Sequence, residues 1–504
     1  MKRLLSFTLI FAATIAAFAQ NEQIHVFRND NNFSTYKSSG VTSITYDGSA
    51  GAWTKMVITE TDGTATSIDL SKIDSCVLRP TGLPEFYITL TDYPNVAELT
   101  DAFSGVAKDT EFEATMRMEG NGMYDDVKEQ HVIFRGRGNS TWNMRKKPYR
   151  FKMDKKAKVC GLPKAKSFAL IANNIDCSLM RNTVALWVSN YFEMPFANHC
   201  VPCKVYLNGN YKGQYMLTEK IGVGGGSVDI DEYKGMLFEL DSNYDENFKF
   251  EYTWSSSSSS SGSTGGWGGR PGGSSSSYTL PVMCKDPDLT EIVDSLGTTT
   301  TAYWQKWQTD FTTMAKAITS RATTESLSDV IDLESAVNFF FVNDLACNHE
   351  MKHPKSFYLY KESLDAGQVY HFGPTWDFDW AFTFDGNEGE KATNAMVSVK
   401  GDKNGYEFIK ALCANEEFRT LFKKRLDDFV ATGYPELIKY MDQYAALIEP
   451  SAKENGLLWP SYQHASWCVV TSSYDFRSNY ETLKKWIADR IAFMQSDSNF
   501  GLYN

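Results

Sequence analysis

Two aspartates in an aromatic segment are the residues of this sequence best suited to chemistry. The segment runs Gly373-Pro-Thr-Trp-Asp-Phe-Asp-Trp-Ala-Phe382 and places Asp377 and Asp379 just after a predicted strand. Acidic side chains are seldom buried among aromatic rings without a partner, so a metal ion or another cation is expected there. Mg²⁺ with bound phosphates would suit such a pair. An aspartate that caps a helix and pairs with a basic neighbour is the structural alternative.

A glycine-rich turn between two predicted strands forms a second candidate. It runs from Arg135 to Trp142, and the strand after it is densely basic, with Lys146, Arg150 and Lys152. Arg150 and Lys152 alternate along the strand and therefore share one face. The backbone N–H groups of such a turn, with cations nearby, suit an anionic group such as phosphate. A solvated basic hairpin would have the same spacing.

A third candidate is His349-Glu-Met-Lys-His353, which contains the His-Glu-x-x-His pattern of zinc metalloproteases. That pattern requires both histidines on one helical face, with Glu350 as the general base. Pro354 disfavours the helical conformation at the residue before it, and the motif lies at the end of its predicted helix. A metalloprotease stays an alternative, as does a glycosidase that would use Glu350 with Asp377 or Asp379.

Alternating apolar residues predict the strands that would position these segments. The strands cover residues 86–91, 111–118, 130–136, 148–153, 167–172, 201–207, 211–218 and 235–241. A helix over residues 178–191 interrupts them and would begin after Asp176 or Ser178 as its N-cap. Helical spacing dominates the later part of the chain. It covers the stretch that opens at Asp332 and residues 406–431, 435–447 and 477–496, with a hairpin at 357–360 and 369–372. A β-rich half before a helical half predicts an α+β fold.

Composition and residue pattern predict the structural character of two further stretches of the chain. Residues 20–82 read as short alternating strands with polar turns, which is typical of a small all-β module. Residues 255–277 are rich in Ser and Gly, so they cannot bury a core and predict a disordered insertion or flexible loop. The main domain would then cover residues 83–497.

The first nineteen residues have the pattern of a cleavable signal peptide. Met1-Lys-Arg3 supplies positive charge, a mostly apolar run reaches Phe18, and Ala17-Phe-Ala19 fits a cleavage site. Polar and small residues within the run make it a poor membrane span, and no second transmembrane candidate follows it. The sequence therefore predicts a secreted, periplasmic or cell-surface protein.

Charge and cysteine content argue against several other classes of protein. The formal net charge is -12, and nucleic-acid phosphates require a basic surface, so no nucleic-acid partner is expected. Nine cysteines spread over 504 residues do not form the dense framework of a small disulfide scaffold. Cys200-Val-Pro-Cys203 is a lone Cys-x-x-Cys pair, and a zinc ribbon would need a second one.

Several ordered motifs together resemble the CotH kinase family, an atypical protein-kinase family named for a spore-coat protein. The resemblance extends from about Phe86 to Ile491. Its markers are Gly136-Arg-Gly-Asn-Ser-Thr-Trp142, Lys147-Pro-Tyr-Arg-Phe-Lys152, Asp176-Cys-Ser-Leu-Met-Arg-Asn182, Val205-Tyr-Leu-Asn-Gly-Asn-Tyr-Lys-Gly213, Thr218-Glu219 and Trp376-Asp-Phe-Asp379. The N-terminal β module lies outside this resemblance and looks like modules common in secreted Bacteroidetes proteins.

The resemblance implies a two-lobed, kinase-like fold with a β-rich N-lobe and a helical C-lobe. It also implies ATP as the bound nucleotide, with Mg²⁺ or another divalent metal. Asp377 corresponds to the metal-binding aspartate of the family, and Asp379 would be a second metal ligand. Nucleotide-binding positions that the resemblance suggests are Arg137, Asn139, Arg150, Lys152, Arg181 and Glu219. Lys152, or alternatively Arg150, would contact phosphate, and Glu219 would lie near the hinge.

One motif departs from the family pattern. Many members have Asn-x-Asp where this chain has Asn348-His-Glu350. Glu350 would replace the catalytic aspartate, because a carboxylate can orient a hydroxyl nucleophile and accept its proton. An asparagine that follows in the family pattern is replaced, with Ser356 as the candidate position. The resemblance thus implies phosphoryl transfer from ATP to Ser or Thr of an exported protein, or to another envelope acceptor. An inactive surface scaffold or glycan-binding protein on the same fold stays an alternative.

Overall fold

The computed structural model describes most of the chain, in twelve segments. These are residues 23–28, 33–49, 52–79, 82–96, 107–257, 275–295, 297–320, 324–383, 404–459, 463–465, 468–469 and 475–496. The predicted signal peptide lies outside them. The chain divides into two compact units: unit 1 holds residues 1–172, 201–218 and 439–460, and unit 2 holds residues 173–200, 219–438 and 461–504.

Unit 1 begins with two three-stranded sheets built from short alternating strands. The strands are β1 (Gln23–Arg28), β2 (Phe33–Lys37), β3 (Val41–Ser49), β4 (Ala52–Glu60), β5 (Ala65–Asp69) and β6 (Ile73–Arg79). Their orders are β2-β1-β6 and β3-β4-β5. Both sheets contribute to one apolar core, in which Val26 and Ile58 are completely buried. The strands predicted for the β module are therefore present.

The remainder of unit 1 is built around a closed barrel of seven strands. They are β7 (Glu85–Leu90), β8 (Phe112–Glu119), β9 (Val127–Gly136), β10 (Tyr149–Ala157), β11 (Ala165–Ile171), β12 (Val201–Leu207) and β13 (Asn210–Glu219). The order around the barrel is β10-β11-β13-β12-β7-β8-β9. Alternate side chains such as Phe134, Tyr149 and Phe151 point inward and are completely buried. The residues between them, Arg135 and Arg150 among these, therefore face outward.

A five-stranded sheet lies at the centre of unit 2. Its strands are β14 (Met236–Leu240), β15 (Lys249–Ser257), β16 (Ser275–Asp286), β17 (Phe357–Lys361) and β18 (His371–Phe372). The order is β15-β16-β14-β17-β18. All five residues of β14 are buried, as expected for a central strand that is covered on both faces.

The prediction of a disordered stretch over residues 255–277 was wrong at both ends. Ser255–Ser257 continue β15 and pair with Ser275–Ser277 of β16 in antiparallel register. Main-chain hydrogen bonds extend this ladder, and they do not require apolar side chains. Residues 258–274 lie outside the described segments.

The described helices overlap the predicted ones with different boundaries, except for two helices, Leu289–Ile292 and Thr300–Thr319, that were not predicted. They are α1 (Arg181–Tyr191), α2 (Leu289–Ile292), α3 (Thr300–Thr319), α4 (Leu333–Ala346), α5 (Asn404–Cys413), α6 (Glu416–Asp428), α7 (Tyr434–Leu458) and α8 (Phe476–Met494). Asp332 caps α4, as predicted, by accepting a hydrogen bond from the Ser335 N–H. The predicted helix over residues 406–431 is interrupted, because Asn415 starts a new helix by capping the Phe418 N–H. A short ladder of β19 (Gln463–Ala465) and β20 (Cys468–Val469) precedes α8.

Strands and helices together confirm a mixed α+β fold. The two-lobed kinase layout stays a prediction. Within the described segments, no helix combines the length and the apolar character that a bilayer span requires. Cys200 and Cys203 are free thiols.

Candidate functional site

The loop after β18 places Asp377 and Asp379 in different environments. Asp377 is half-buried and has a φ of +61°, a conformation that is uncommon for residues other than glycine. Its main-chain carbonyl accepts a hydrogen bond of 3.2 Å from the Asn348 side chain. Asp379 is buried. The surrounding contacts therefore hold the Asp377 backbone in a strained conformation, as is often seen at functional sites.

The first turn of α1 holds this loop through Asn182 and Arg181. The Asn182 amide donates to the Asp379 carboxylate at 2.5 Å and accepts from the Phe378 N–H at 2.9 Å. The Arg181 guanidinium donates to the Asp379 main-chain carbonyl at 3.0 Å. One helical turn thereby fixes both the main chain around Asp379 and the orientation of its carboxylate.

Asp176 organises the start of α1, but it is not the N-cap residue. The N-cap position is Met180, whose side chain makes no capping bond. The Asp176 carboxylate instead accepts from the N–H groups of Arg181 and Ser178, at 2.8 and 2.9 Å. The helix therefore begins at Arg181, three residues later than predicted, and a buried carboxylate reaches its first N–H from the preceding turn.

Glu350 lies in a short 3₁₀ helix, His349–Lys352, immediately after α4. The Asn348 side chain accepts a hydrogen bond from the Glu350 N–H at 3.2 Å and donates to the Asn343 side chain at 3.0 Å. Because the same Asn348 amide also reaches the Asp377 carbonyl, one buried side chain connects the main chains of both predicted catalytic residues.

The acidic groups of this region raise one another's pKa. Burial raises the pKa of Glu350, the negative charge of Asp377 raises it further, and the ammonium of Lys355 opposes both effects. Burial also raises the pKa of Asp379, together with the charges of Asp377 and Asp176. Negative charge is therefore concentrated around Asp377, and a bound cation would stabilise it.

The donor set around Asp377 fits a magnesium ion with few protein ligands. Within the described segments, no group of three or more His, Cys, Asp or Glu side chains could hold a metal. Mg²⁺ commonly binds through one or two carboxylates, with waters and substrate phosphates as its other ligands. Oxygen donors from Asp377 and Asp379 fit that chemistry.

The zinc-protease pattern lacks the geometry that it needs. His349 is the first residue of a 3₁₀ helix and His353 follows its last residue, so the two do not lie one turn apart on an α-helix. Their rings lie 6.4 Å apart, and both contact the Trp380 ring. Packing against an aromatic ring therefore accounts for these histidines.

The basic strand of unit 1 carries an arginine pair on its outer surface. Arg150 of β10 lies directly opposite Arg135 of β9, and the buried Nε atom of each has no hydrogen-bond partner. Burial lowers the pKa of Arg150, and the charges of Arg135 and Arg137 lower it further, whereas Glu111 and Asp109 oppose them. Other nitrogens of these groups already have partners, since Arg135 pairs with Asp109 at 2.9 Å and Arg150 donates to Ser167 at 3.2 Å. Two adjacent like charges on this surface fit an anionic ligand such as phosphate.

The other predicted nucleotide-binding residues have varied surroundings. Lys152 is exposed on β10, and Asn139 accepts a hydrogen bond from Lys108. Arg181 is buried against the Asp379 loop. The Glu219 carboxylate accepts hydrogen bonds from the His199 main-chain N–H, at 2.9 Å, and from its ring. Nucleotide contact by these residues stays a prediction.

Two charged residues have surroundings that the sequence did not predict. Lys146 is completely buried in unit 1, where its ammonium donates to the carbonyls of Ala172 and Gln214. Asp241 is buried at the end of β14 in unit 2, and burial raises its pKa to about 6. Lys146 was interpreted only as part of a basic strand and Asp241 follows an ordinary strand, so only tertiary structure reveals their surroundings.

One protein-family model matches a large part of the chain. The family model described as CotH kinase protein matches residues 134–494. Among curated proteins, none matches the chain. The matched region includes Arg150, Asn182, Glu350 and Asp377 and spans more than half of the sequence. The chain therefore belongs to the CotH kinase family.

Proposed function

We propose that this protein transfers the terminal phosphoryl group of ATP to a Ser or Thr hydroxyl of an exported protein, or to another acceptor of the cell envelope. The observation that supports this best is the arrangement of Glu350 and Asp377, whose main chains are both hydrogen-bonded by Asn348. A general base beside a metal-binding aspartate is what phosphoryl transfer requires. Export rests on the signal-peptide pattern of residues 1–19.

Glu350 is the proposed general base. Its carboxylate would accept the proton of the acceptor hydroxyl and orient the oxygen for attack. Burial and the charge of Asp377 raise its pKa, which makes it a stronger base than an exposed glutamate. The methylene group that distinguishes it from aspartate extends its reach from the 3₁₀ helix.

Asp377 is the proposed metal ligand, and Asp379 is a second candidate. Mg²⁺, when bound, supplies charge that neutralises the phosphate oxygens during transfer. Asp377 is half-buried and Asp379 buried, so Asp377 is the better placed of the two to meet a hydrated ion. Asn182 fixes the Asp379 carboxylate and with it the shape of the loop.

Arg150 and Arg135 are the best-placed cations of unit 1 for nucleotide phosphates. Their buried Nε–H groups are unsatisfied, and an isolated buried donor costs free energy unless it is paired. Lys152 and Arg137 lie on neighbouring surface positions of β10 and the adjoining turn. A polyphosphate could pair with several of these groups at once.

The direct test is transfer of phosphate from radiolabelled ATP by the Asp377→Ala variant. We expect transfer to be abolished, because neither remaining carboxylate can replace Asp377. Asn182 holds the Asp379 carboxylate, and Glu350 serves as the base. Asp365→Ala, a change at an exposed aspartate of the same unit, should transfer at the wild-type rate. Persisting transfer by Asp377→Ala would exclude this mechanism.

Nucleotide binding without catalysis separates the kinase from the surface-scaffold alternative. A ligand that binds only the folded state must raise the melting temperature, by an amount that grows with the logarithm of its concentration once it exceeds Kd. ATP with Mg²⁺ should therefore stabilise the wild-type protein, and Arg150→Ala should weaken that effect. A melting temperature that ATP does not change would favour the scaffold.

A further inference from the structure

Asp241 lies where the central strand of the unit 2 sheet ends, and its carboxylate is committed to main-chain donors. Its side chain is 7% exposed. One carboxylate oxygen accepts the Asn243 N–H at 2.7 Å, and the Ser356 N–H is a second main-chain donor. Because a buried carboxylate is costly unless its oxygens are satisfied, these donors fix its position.

Ser356 is the last residue of the segment that carries Glu350, which we call the Glu350 segment (residues 348–356). Asn348 fastens the start of this segment, as described above. At its end, the Ser242 N–H donates to the Pro354 carbonyl at 2.9 Å. Ser356 itself has a φ of +50°, a strained conformation that external contacts must maintain.

The two ends of the Glu350 segment are also connected through its interior. The Lys355 N–H donates to the Glu350 carbonyl at 3.0 Å. The Lys355 ammonium acts electrostatically on both Glu350 and Asp241. If residues 354–356 at the end of the segment moved, the hydrogen bond between Lys355 and Glu350 would therefore transmit the movement to Glu350.

We infer that Asp241 is a positioning residue, which holds the end of the Glu350 segment so that Glu350 and Lys355 keep their places near Asp377. Asp241 acts through the N–H of Ser356 and through its neighbour Ser242, and it does not contact the reacting groups. The catalytic part of this inference rests on the proposed phosphoryl transfer, whereas the structural part does not.

Two substitutions separate positioning from direct chemistry. Asp241→Asn keeps an oxygen acceptor for the main-chain donors, and Asp241→Ala removes it. Since a misplacement of about 1 Å can cost roughly 100-fold in rate, we expect Asp241→Ala to lower kcat by about 10- to 100-fold, with KM for ATP within about threefold. Asp241→Asn should restore most of the lost kcat.

Hydrogen exchange of the free protein tests the same inference without catalysis. Amides of residues 350–356 should exchange faster in Asp241→Ala than in the wild type and near the wild-type rate in Asp241→Asn. Asp286→Ala is a matched control, because Asp286 ends the neighbouring strand β16 and accepts the Val223 N–H at 2.8 Å. It should loosen the turn around Val223 and leave residues 350–356 and kcat unchanged.

The possible outcomes separate the proposed transferase function from the positioning role of Asp241. A wild-type protein without transferase activity would refute the proposed function, and exchange at residues 350–356 would still decide the positioning role. Unchanged exchange there in Asp241→Ala would overturn the inference. Faster exchange throughout β14, β16 and β17 would also overturn it, by showing a general structural role. If Asp241→Asn were as inactive as Asp241→Ala, the carboxylate charge itself would be required and positioning would be refuted.

Discussion

Glu350, the proposed general base, lies in a segment whose main-chain contacts hold it in place. Asn348 fixes the residue at its N–H, and Lys355 contacts its carbonyl. The side chain alone is left to reach the acceptor. The methylene group that distinguishes it from aspartate therefore changes the position of the carboxylate without requiring the main chain to move.

Replacement of Glu350 should separate its charge from its length. Glu350→Gln removes the base and should lower kcat by about 100- to 10,000-fold, the range typical of general-base loss. Glu350→Asp keeps a carboxylate base that is one methylene group shorter, so its kcat should exceed that of Glu350→Gln by at least about tenfold. Both values come from steady-state rates at saturating ATP. Glu362→Gln, at an exposed glutamate, is the control, and a wild-type rate in Glu350→Gln would show that another group is the base.

For single residues, the sequence predicted those with distinctive chemistry but not the residues that hold them in place. Asp377 and Asp379 were predicted because carboxylates in an aromatic segment are unusual, and Glu350 was predicted from the His-Glu-x-x-His pattern and the family resemblance. Asn182 lies in a recognised motif, but its contact with Asp379 spans 197 positions. Asp241 follows an ordinary strand. A hydrogen bond between residues so far apart in sequence depends on how the fold brings distant segments together, which local residue spacing does not indicate.

Strands were predicted more accurately than helix ends. The prediction of 201–207 matches β12, and 211–218 lies within β13, because alternation and an Asn-Gly turn define a hairpin locally. Helix ends depend on which side chain meets the first free N–H groups. α1 begins after a turn held by Asp176, and a stretch of π-helix at residues 429–433 joins α6 to α7.

One ion pair joins α4 to α8 in the core of unit 2. The Arg490 guanidinium donates to the Asp344 carboxylate at 2.9 Å and to its main-chain carbonyl at 2.9 Å. Arg490 is completely buried and Asp344 almost so. Position 490 follows Leu483 and Ile487 at helical spacing, so periodicity places Arg490 on the buried face of the helix but does not identify Asp344 as its partner.

Removal of one partner of this pair should be strongly destabilising. Arg490→Met leaves the Asp344 charge buried without its partner, which costs about 3–5 kcal/mol in comparable cases. Chemical denaturation measures the loss. The double variant Arg490→Met with Asp344→Leu should recover part of it, because no isolated charge remains. Lys485→Met, which removes an exposed pair with Asp489 on the same helix, should change stability by less than about 1 kcal/mol. Equal effects of Arg490→Met and Lys485→Met would contradict this reasoning.

At the scale of the whole molecule, each compact unit is assembled from separated parts of the chain. Unit 1 combines the N-terminal sheets and the barrel with residues 439–460. Linker composition predicts where a chain can be divided, but it does not report which distant segment returns to an earlier one. Within the barrel, Lys146 shows the consequence, because its acceptors Ala172 and Gln214 come from two later segments.

Lys146 should make the stability of the protein depend on pH in alkaline solution. Burial lowers its pKa from 10.5 to about 7, so between these values the unfolded chain binds a proton that the folded chain does not. The free energy of unfolding should therefore rise with pH across this window, relative to Lys146→Met, by up to about 1.4 kcal/mol per pH unit. Below pH 7 both states are protonated and the difference should level off.

Denaturation of the wild type and of Lys146→Met at several pH values between 7 and 10 measures this difference in the free energy of unfolding. Lys152→Met, a change at an exposed lysine of the same barrel, should give a curve parallel to the wild type. If Lys146→Met were also parallel to the wild type, the buried amine would not be the source of the pH dependence.

The paired ends of β15 and β16 have a consequence for protein engineering. Ser257 and Ser275 are register partners, so the chain leaves the sheet and re-enters it at neighbouring positions. The entropic cost of closing a connection grows slowly with its length, by about 0.6 kcal/mol for each doubling. This hairpin should therefore accept a foreign peptide or a compact fluorescent domain whose termini lie close together. Such a fusion would report on the location of the protein while leaving the ladder beneath it in place.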